Sequence, residues 1–400
     1  MTEGASLLDP GGLEELHELL TGAGVDGWLL YDFHDRNPVA RRLLGSGKTT
    51  RRAFALFPRR GEPVLLHHRI EVSSWPDWPY LRREYAGWRE LGDELERMLD
   101  GLRSVAMEVS PGGAVPTLDR VPAGAAEMVR AAGPEVRSSG DLVTAYHARW
   151  SRKGLESHRR AAAIVRSLAM EAFRRAASRA GGDAPLTERG LADWIRGRLR
   201  EEGLADQEDC IVAAGPGSAD PHYRPVGEGR PLSAGEVVLI DLWGREPDDG
   251  VPADQTWMGV LGEAAPERAV RLWEAVVEAR DRALGFLGER SAAGEEVRGW
   301  EVDQVARSAL EQRGLGDFFL HRLGHSIDSE LHGSGPNLDS LETRDDRRLL
   351  PGVGFSVEPG VYLPGEVGVR SEVNVYWAKE GPEITPGEIQ RELLLLPPGP

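Results

Sequence analysis

One cysteine, Cys210, is all that this 400-residue chain contains, which excludes an internal disulfide framework and makes a reducing cytoplasm the expected location. Cys210 stands ahead of the apolar IVAAG, so a buried structural thiol is expected there rather than a nucleophile. Positive charge is scarce as well. Lysines and arginines number 48 against 65 aspartates and glutamates, a formal charge of −17. Nucleic acid and anionic membrane surfaces both favour a basic face, so neither is an expected partner. No apolar run approaches the roughly 20 residues that a membrane span requires. The opening MTEGASLLDPGG lacks a basic region followed by an apolar one, so no secretory leader is expected. Repeats and low-complexity segments are also missing. What is present is a chain 40% hydrophobic and 28% charged, long enough for two domains with a substantial core.

Residues 1–150 alternate helical and strand patterns, which predicts a smaller α/β domain. GLEELHELL reads as a helix leading into a strand that ends at Phe33, and RAFALFPRRGEPVLLHH reads as a hairpin. His67 and His68 at its end read as packing or surface residues. A long helical stretch begins near Ser151 and marks the start of an α+β domain over 151–400. Its second helix, TERGLADWIRGRLREEG, opens with a capping-box pattern at Thr187. The strands DCIVAAG, GEVVLIDLWG and QTWMGVLG follow, then helices over about 265–287 and 294–313, then the strands GFSVEPGVYL and GVRSEVNVYWA.

The acids of this second domain fall at particular strand positions. The apolar run from Val237 to Ile240 ends at Asp241, and a hairpin would bring Asp254 of the next strand toward it. Asp254 and Thr256 share a face by period two. The turn acids Asp248 and Asp249 read as solvated. Along unbroken strands, Glu358 and Glu372 each point away from the apolar side. Taken singly, each fits a half-exposed strand with its polar residues in water. Taken together, two aspartates, two glutamates and a histidine on neighbouring β elements make a donor set for two divalent cations, because clustered carboxylates are costly without one. Hard oxygen donors with one imidazole suit manganese, iron, cobalt or zinc. The stretch HRLGHSIDSELHG supplies His321, His325 and His332, and its glycines favour an extended or turning chain over a helix.

In IDLWG, ADQTW, HRLGHSIDSELHG, SVEPGVY, GVRSEVNV and CIVAAGPGSADPHYRP, taken in order, the chain resembles the pita-bread metallopeptidases, which include aminopeptidase P, prolidase and methionine aminopeptidase. The resemblance implies a C-terminal pita-bread domain preceded by a creatinase-type α/β domain. It also implies two divalent metal ions, manganese first, held by Asp241, Asp254, His325, Glu358 and Glu372. Asp254 and Glu372 would bridge them, Asp241 would complete one, and His325 and Glu358 the other. His222, His321 and His332 would bind substrate, with Glu358 moving a proton and Thr256 and Arg370 orienting ligands. The implied activity is hydrolysis of short peptides, as an Xaa-Pro aminopeptidase or dipeptidase acting as a homodimer. The alternatives are a small-metabolite C–N hydrolase or metallo-lyase on the same fold and, last, a non-catalytic binding protein. Trp257, Trp243, Asp328 and Gly333 depart from the family pattern around the substrate pocket, and the two aspartates lie thirteen positions apart, a longer hairpin than the pattern commonly shows.

Overall fold

The computed structural model describes residues 7–180, 182, 184–205, 210–248 and 250–397. Asp249 lies outside the described residues, as do the first six and the last three. The chain divides into two compact units between His147 and Ala148.

In the first unit, α1 (Pro10–Ala23) begins on a proline, whose missing N–H costs nothing at a helix start. β1 (Gly27–Asp32) pairs antiparallel with β2 (Ala53–Pro58), which forms the expected hairpin with β3 (Val64–His68). Helix α2 (Pro38–Leu44) separates β1 from β2. β4 (Leu81–Tyr85), β5 (Ser104–Met107) and β6 (Glu135–Ser138) complete a sheet in the order β4-β3-β2-β1-β5-β6. Three further helices, α3 (Trp88–Leu99), α4 (Ala123–Ala131) and α5 (Gly140–Val143), connect and follow these strands. Side chains alternate across the sheet: Trp28 and Leu30 join Phe57 and α1, while Leu29 and Tyr31 join Phe54 and α3. A sheet buried on both faces explains the nearly unbroken apolar run GWLLY.

The second unit opens with α6 (Arg152–Ala180) and α7 (Glu188–Glu201). Thr187 caps α7, its hydroxyl accepting from the Gly190 N–H at 3.0 Å. The expected capping box is only half made, because Gly190 has no side chain to return the bond. β7 (Ile211–Ala214), β8 (Val237–Gly244) and β9 (Ala253–Val260) run antiparallel. The short β16 (Leu394–Leu395) adds in parallel beyond β9. Cys210 is half-buried rather than buried, its thiol 3.5 Å from the Ala192 carbonyl. α8 (Glu267–Ala293) runs past its expected end, and α9 (Gly299–Gln312) starts later than expected.

Both strands that carry the glutamates are broken, which corrects the continuous reading. GFSVEPGVYL divides into β11 (Gly354–Val357) and β12 (Gly360–Leu363), and GVRSEVNVYWA into β13 (Val367–Arg370) and β14 (Val373–Ala378). β11 and β14 belong to a sheet with β10 (Ser326–Ile327) and β15 (Gly381–Thr385), whereas β12 and β13 form a separate ribbon. Pro359 lacks the N–H that would continue the ladder, so the chain leaves one sheet there for the other. These strands are not half-exposed either: Ser356 and Asn374 are fully buried and Arg370 nearly so. Val238, Ile240 and Leu242 pack on α6 and α7, while Leu239 and Met258 join α8, α9 and the second sheet. Asp241 and Trp243 share the face of Leu239 by period two. No helix among the described residues is long and apolar enough to cross a membrane.

Candidate metal centre

The β8–β9 register sets Asp241 opposite Thr256 and Trp243 opposite Asp254. The two aspartates are therefore diagonal neighbours on one face, within reach of each other without being directly paired. The Asp254 N–H is held by Asn374 Oδ1 at 2.8 Å, which ties β9 to β14. His325 arrives from the segment before β10, whose chain is extended, as expected. Gly324 and Leu338 exchange backbone hydrogen bonds, and a Cβ on Gly324 would lie 1.9 Å from the Ser356 carbonyl oxygen, so only glycine allows this approach.

Ser356 connects two members of the cluster. Its hydroxyl accepts from the His325 N–H at 2.9 Å and donates to Glu358 Oε1 at 2.9 Å. His325 Nε2 lies 3.5 Å from Asp254 Oδ2 and 3.5 Å from Glu358 Oε1. On the other side, Thr256 donates to Glu372 Oε2 at 2.7 Å and accepts from Arg370 Nε at 2.9 Å. Arg370 also pairs with Asp241 through Nη2. The donor atoms of Asp254, His325 and Glu372 lie within 4.8 Å of one another. Glu358 joins this trio through His325, and Asp241 stands beside it against Arg370.

The electrostatics fit a cation. Burial raises the Asp241 carboxyl to about 7, against the pull of Arg370 and with the push of Asp254 and Glu358. Burial, then Asp254, holds Glu372 well above the usual carboxylate range. Burial also pushes Glu358 upward, but His325, His321 and Arg370 outweigh it and leave it lowered. Asp241 Oδ1 and Asp254 Oδ1 are buried with no hydrogen-bond partner among the described residues. Four carboxyls around a buried point with two orphaned oxygens must either take up protons or receive divalent ions.

The remaining histidines separate. His321 is half-buried. Its Nδ1 bonds the Arg322 carbonyl at 2.7 Å, which assigns the proton there and leaves Nε2 to accept from the Tyr362 hydroxyl at 2.8 Å. Burial holds this imidazole below its usual range. The His332 ring lies 4.3 Å from that of His325. Among the described residues His222 makes no such ring contact, and it stays exposed on a turn, its N–H bonded to Asp220 Oδ1 at 3.0 Å. Buried Glu188 anchors that loop, accepting from the Ala214 N–H, the Tyr223 hydroxyl and the Arg230 N–H at 2.7–2.8 Å. His222 and His332 line one cavity of about 610 Å³ together with Trp243.

Asp328 and Gly333, both departures from the family pattern, prove to be one feature. Asp328 is buried and accepts from the N–H groups of Glu330 at 2.9 Å and Ser334 at 2.7 Å, closing the loop that carries His332. A Cβ on Gly333 would lie 2.7 Å from Asp328 Cγ. Trp257 points away from the cluster into the core beneath α6 and α7, its indole N–H on Gln255 Oε1 at 2.9 Å.

Sequence reasoning missed Ser356, Asn374 and Tyr362. The available signal for Tyr362 was a phenol inside the apolar run GVYL, since a buried hydroxyl needs a partner. It finds two, His321 and Arg370 Nη1 at 3.3 Å, and burial pushes its pKa to about 12.

The model of metallopeptidase family M24 matches residues 156–378. The chain belongs to this family. A probable dipeptidase, PepE, of Mycobacterium tuberculosis is 31% identical over 211 residues, covering 53% of this chain and 52% of that protein. The Xaa-Pro dipeptidase of Lactobacillus helveticus is 32% identical over 189 residues, 47% of each. The chain thus spans about half the length of the curated relatives it matches. In architecture, the crystal structure of dipeptidase PepE from Mycobacterium ulcerans superimposes with a TM-score of 0.70 at 22% identity, covering 98% of this chain and 99% of that one. The fold is the α+β pita-bread architecture, preceded by a smaller α/β unit. Asp254, His325 and Glu372 form the candidate metal cluster of this M24 chain.

Proposed function

We propose that this chain hydrolyses short peptides at a two-metal centre, as an Xaa-Pro aminopeptidase or dipeptidase. The observation that carries the reading is the convergence of buried Asp254, His325 and Glu372, flanked by Asp241 and Glu358, with two carboxylate oxygens left without partners among the described residues. The dipeptidases among its relatives support the substrate class. Asp241, Asp254, His325, Glu358 and Glu372 would hold the two divalent ions. Manganese is the first choice, with cobalt, zinc or iron as alternatives, and such a pair supplies Lewis acidity and makes water acidic enough to ionise near neutral pH.

The chain's own residues then have defined work. Glu358, held by Ser356 and kept ionised by its neighbours, takes a proton and delivers it to the leaving nitrogen. His332 flanks the cluster as a hydrogen bonder to substrate and to the developing oxyanion, whereas His321, its Nδ1 proton on the Arg322 carbonyl and its Nε2 facing the Tyr362 hydroxyl, meets substrate only as an acceptor. His222 meets the substrate from the cavity side. Thr256 and Arg370 keep Glu372 and Asp241 aimed at the centre. The family resemblance and the single cysteine support a homodimer in the cytoplasm.

The deciding experiment is metal analysis coupled to a peptide panel. About two ions per chain, silencing by chelation and cleavage of an Xaa-Pro peptide are expected. Full metal content with no peptide cleaved would redirect the assignment to a metallo-lyase or C–N hydrolase on the same fold. Failure to bind metal under any reconstitution would refute it.

A further inference from the structure

Against a chain charge of −17, the cavity beside the ligand cluster is lined, among the described residues, by three arginines, Arg189, Arg196 and Arg224, and one acid, Asp193. It meets the cluster at His332, beside His325, and at Trp243, the cross-strand partner of Asp254. From there it passes round the edge of the sheet, where β7 is the terminal strand. Ile211 pairs with Asp241 on the metal side, while Val212, of opposite parity, packs toward α7. Arg189, Ala192, Asp193 and Arg196 follow the i, i+3, i+4, i+7 spacing of one helix stripe, and all four line the cavity.

The arginines are not equivalent. Arg189 is committed to the wall, donating to the carbonyls of Pro225 at 3.1 Å and of Gly227. Arg196 is half-exposed and pairs with Asp193 one turn before it, a contact worth little in water that an incoming carboxylate can join. Arg224 is exposed and follows Tyr223 on the loop that Glu188 anchors.

We propose that this cavity is a subsite for a carboxylate that the substrate carries beyond the scissile bond, with Trp243 as the apolar wall between it and the metal ligands. Packed layers lie on the order of 10 Å apart, and an extended residue spans about 3.3–3.6 Å. α7 packs on the face of the sheet opposite Asp241, so a group that meets its arginines lies past the carboxylate of a dipeptide held at the cluster. The anion is either the C-terminal carboxylate of a tripeptide or an acidic side chain at its third position. This inference rests on the peptidase reading, and the experiment separates the two.

The metal-loaded full chain is assayed with Ala-Pro-Ala, Ala-Pro-Ala-amide and Ala-Pro-Glu-amide. One or both carboxylate-bearing peptides should exceed the neutral amide by about tenfold in kcat/KM, mostly through KM, the scale of a partly exposed charge-assisted hydrogen bond. The one that does so identifies the source of the anion. The doubly substituted Arg196→Gln, Arg224→Gln chain should bring that ratio to about one. Raising the salt concentration should lower the ratio in the unsubstituted chain, a readout that needs no variant. Equal cleavage of all three peptides, or a ratio that neither substitution nor salt moves, overturns the subsite while leaving the peptidase intact. If none is cleaved, the peptidase reading fails and calorimetry with N-acetylglutamate against N-acetylglutamine amide decides the cavity. Tighter binding of the acid, lost in the variant, upholds the subsite, and equal binding overturns it.

Discussion

Replacing Gly333 by alanine would put a methyl carbon 2.7 Å from Asp328 Cγ, 2.8 Å from its Oδ2 and 2.9 Å from its backbone nitrogen. Asp328 cannot swing aside freely, because its two oxygens hold the Glu330 and Ser334 N–H groups. Overpacking of this kind costs about 1–3 kcal/mol. Asp328→Gly alone removes two backbone-to-carboxylate bonds and should cost about 2 kcal/mol, the scale for hydrogen bonds to a charged group. Combined, the substitutions lose the bonds but also remove the first two of the three close contacts, leaving only the one to the backbone nitrogen. The double variant should therefore be less damaged than the sum of the singles, by about 1 kcal/mol or more, with the backbone-nitrogen contact limiting the relief. Hydrogen exchange of the segment spanning residues 326–337 reads this locally, which avoids treating a two-unit chain as a single transition. Additivity within about 0.5 kcal/mol would show that Asp328 and Gly333 are not mutually adapted, and the account of the His332 loop would fall.

Thr256→Val keeps the shape but deletes the bonds to Glu372 and from Arg370, so metal affinity should fall about 10–100-fold, measured by competition with a chelating indicator. Glu358→Ala should lower turnover by about 10²–10⁴ while the circular dichroism spectrum is retained, and unchanged turnover would remove it from the chemistry. His158 is fully buried between the Pro252 carbonyl and the Thr385 hydroxyl, and burial lowers its pKa to about 4. Its folded pKa is thus depressed below the unfolded value of about 6.5. Its neutral form favours the folded state fully above that pH, and about 3 kcal/mol is lost as pH falls from 6.5 to 4. Urea unfolding across that window should show this slope, and His158→Gln should flatten it.

The parts of the centre that were legible share one property: each is local. Asp241, Asp254 and Thr256 lie on adjacent strands joined by a short connection, so period two and a hairpin place them on one face. The register was not legible, and the diagonal offset of the aspartates depends on where the connection tightens. Nothing local in TERG announced that the third position after Thr187 would withhold half of the cap, except the glycine itself. The arginine-lined cavity was invisible for a different reason. It is shared by α7, the start of β7, the His222 loop and Trp243, segments that periodicity treats one at a time.

The glutamates show what such a reading misses and why it matters. An unbroken strand would send Glu358 and Glu372 to faces fixed by alternation, one per strand and with no shared target. Instead, Glu358 sits where the chain leaves β11 for β12, and Glu372 where it passes from β13 to β14. At a crossing the side-chain direction is released from the period of either strand, while the backbone on both sides stays held. β11 and β14 are paired, from Gly354 with Tyr376 to Val357 with Val373, so the two crossings are brought side by side. Ser356 reaches Glu358 from within β11, and Thr256 reaches Glu372 from β9. The breaks that defeat the alternation argument are thus what let two sheets aim carboxylates at one point. A substitution that restored continuity, such as Pro359→Val, should extend the β11 ladder and turn Glu358 out of line. The expected signature is loss of metal binding with the fold intact, and undiminished metal affinity in that variant would show that the crossing does not set the direction of Glu358.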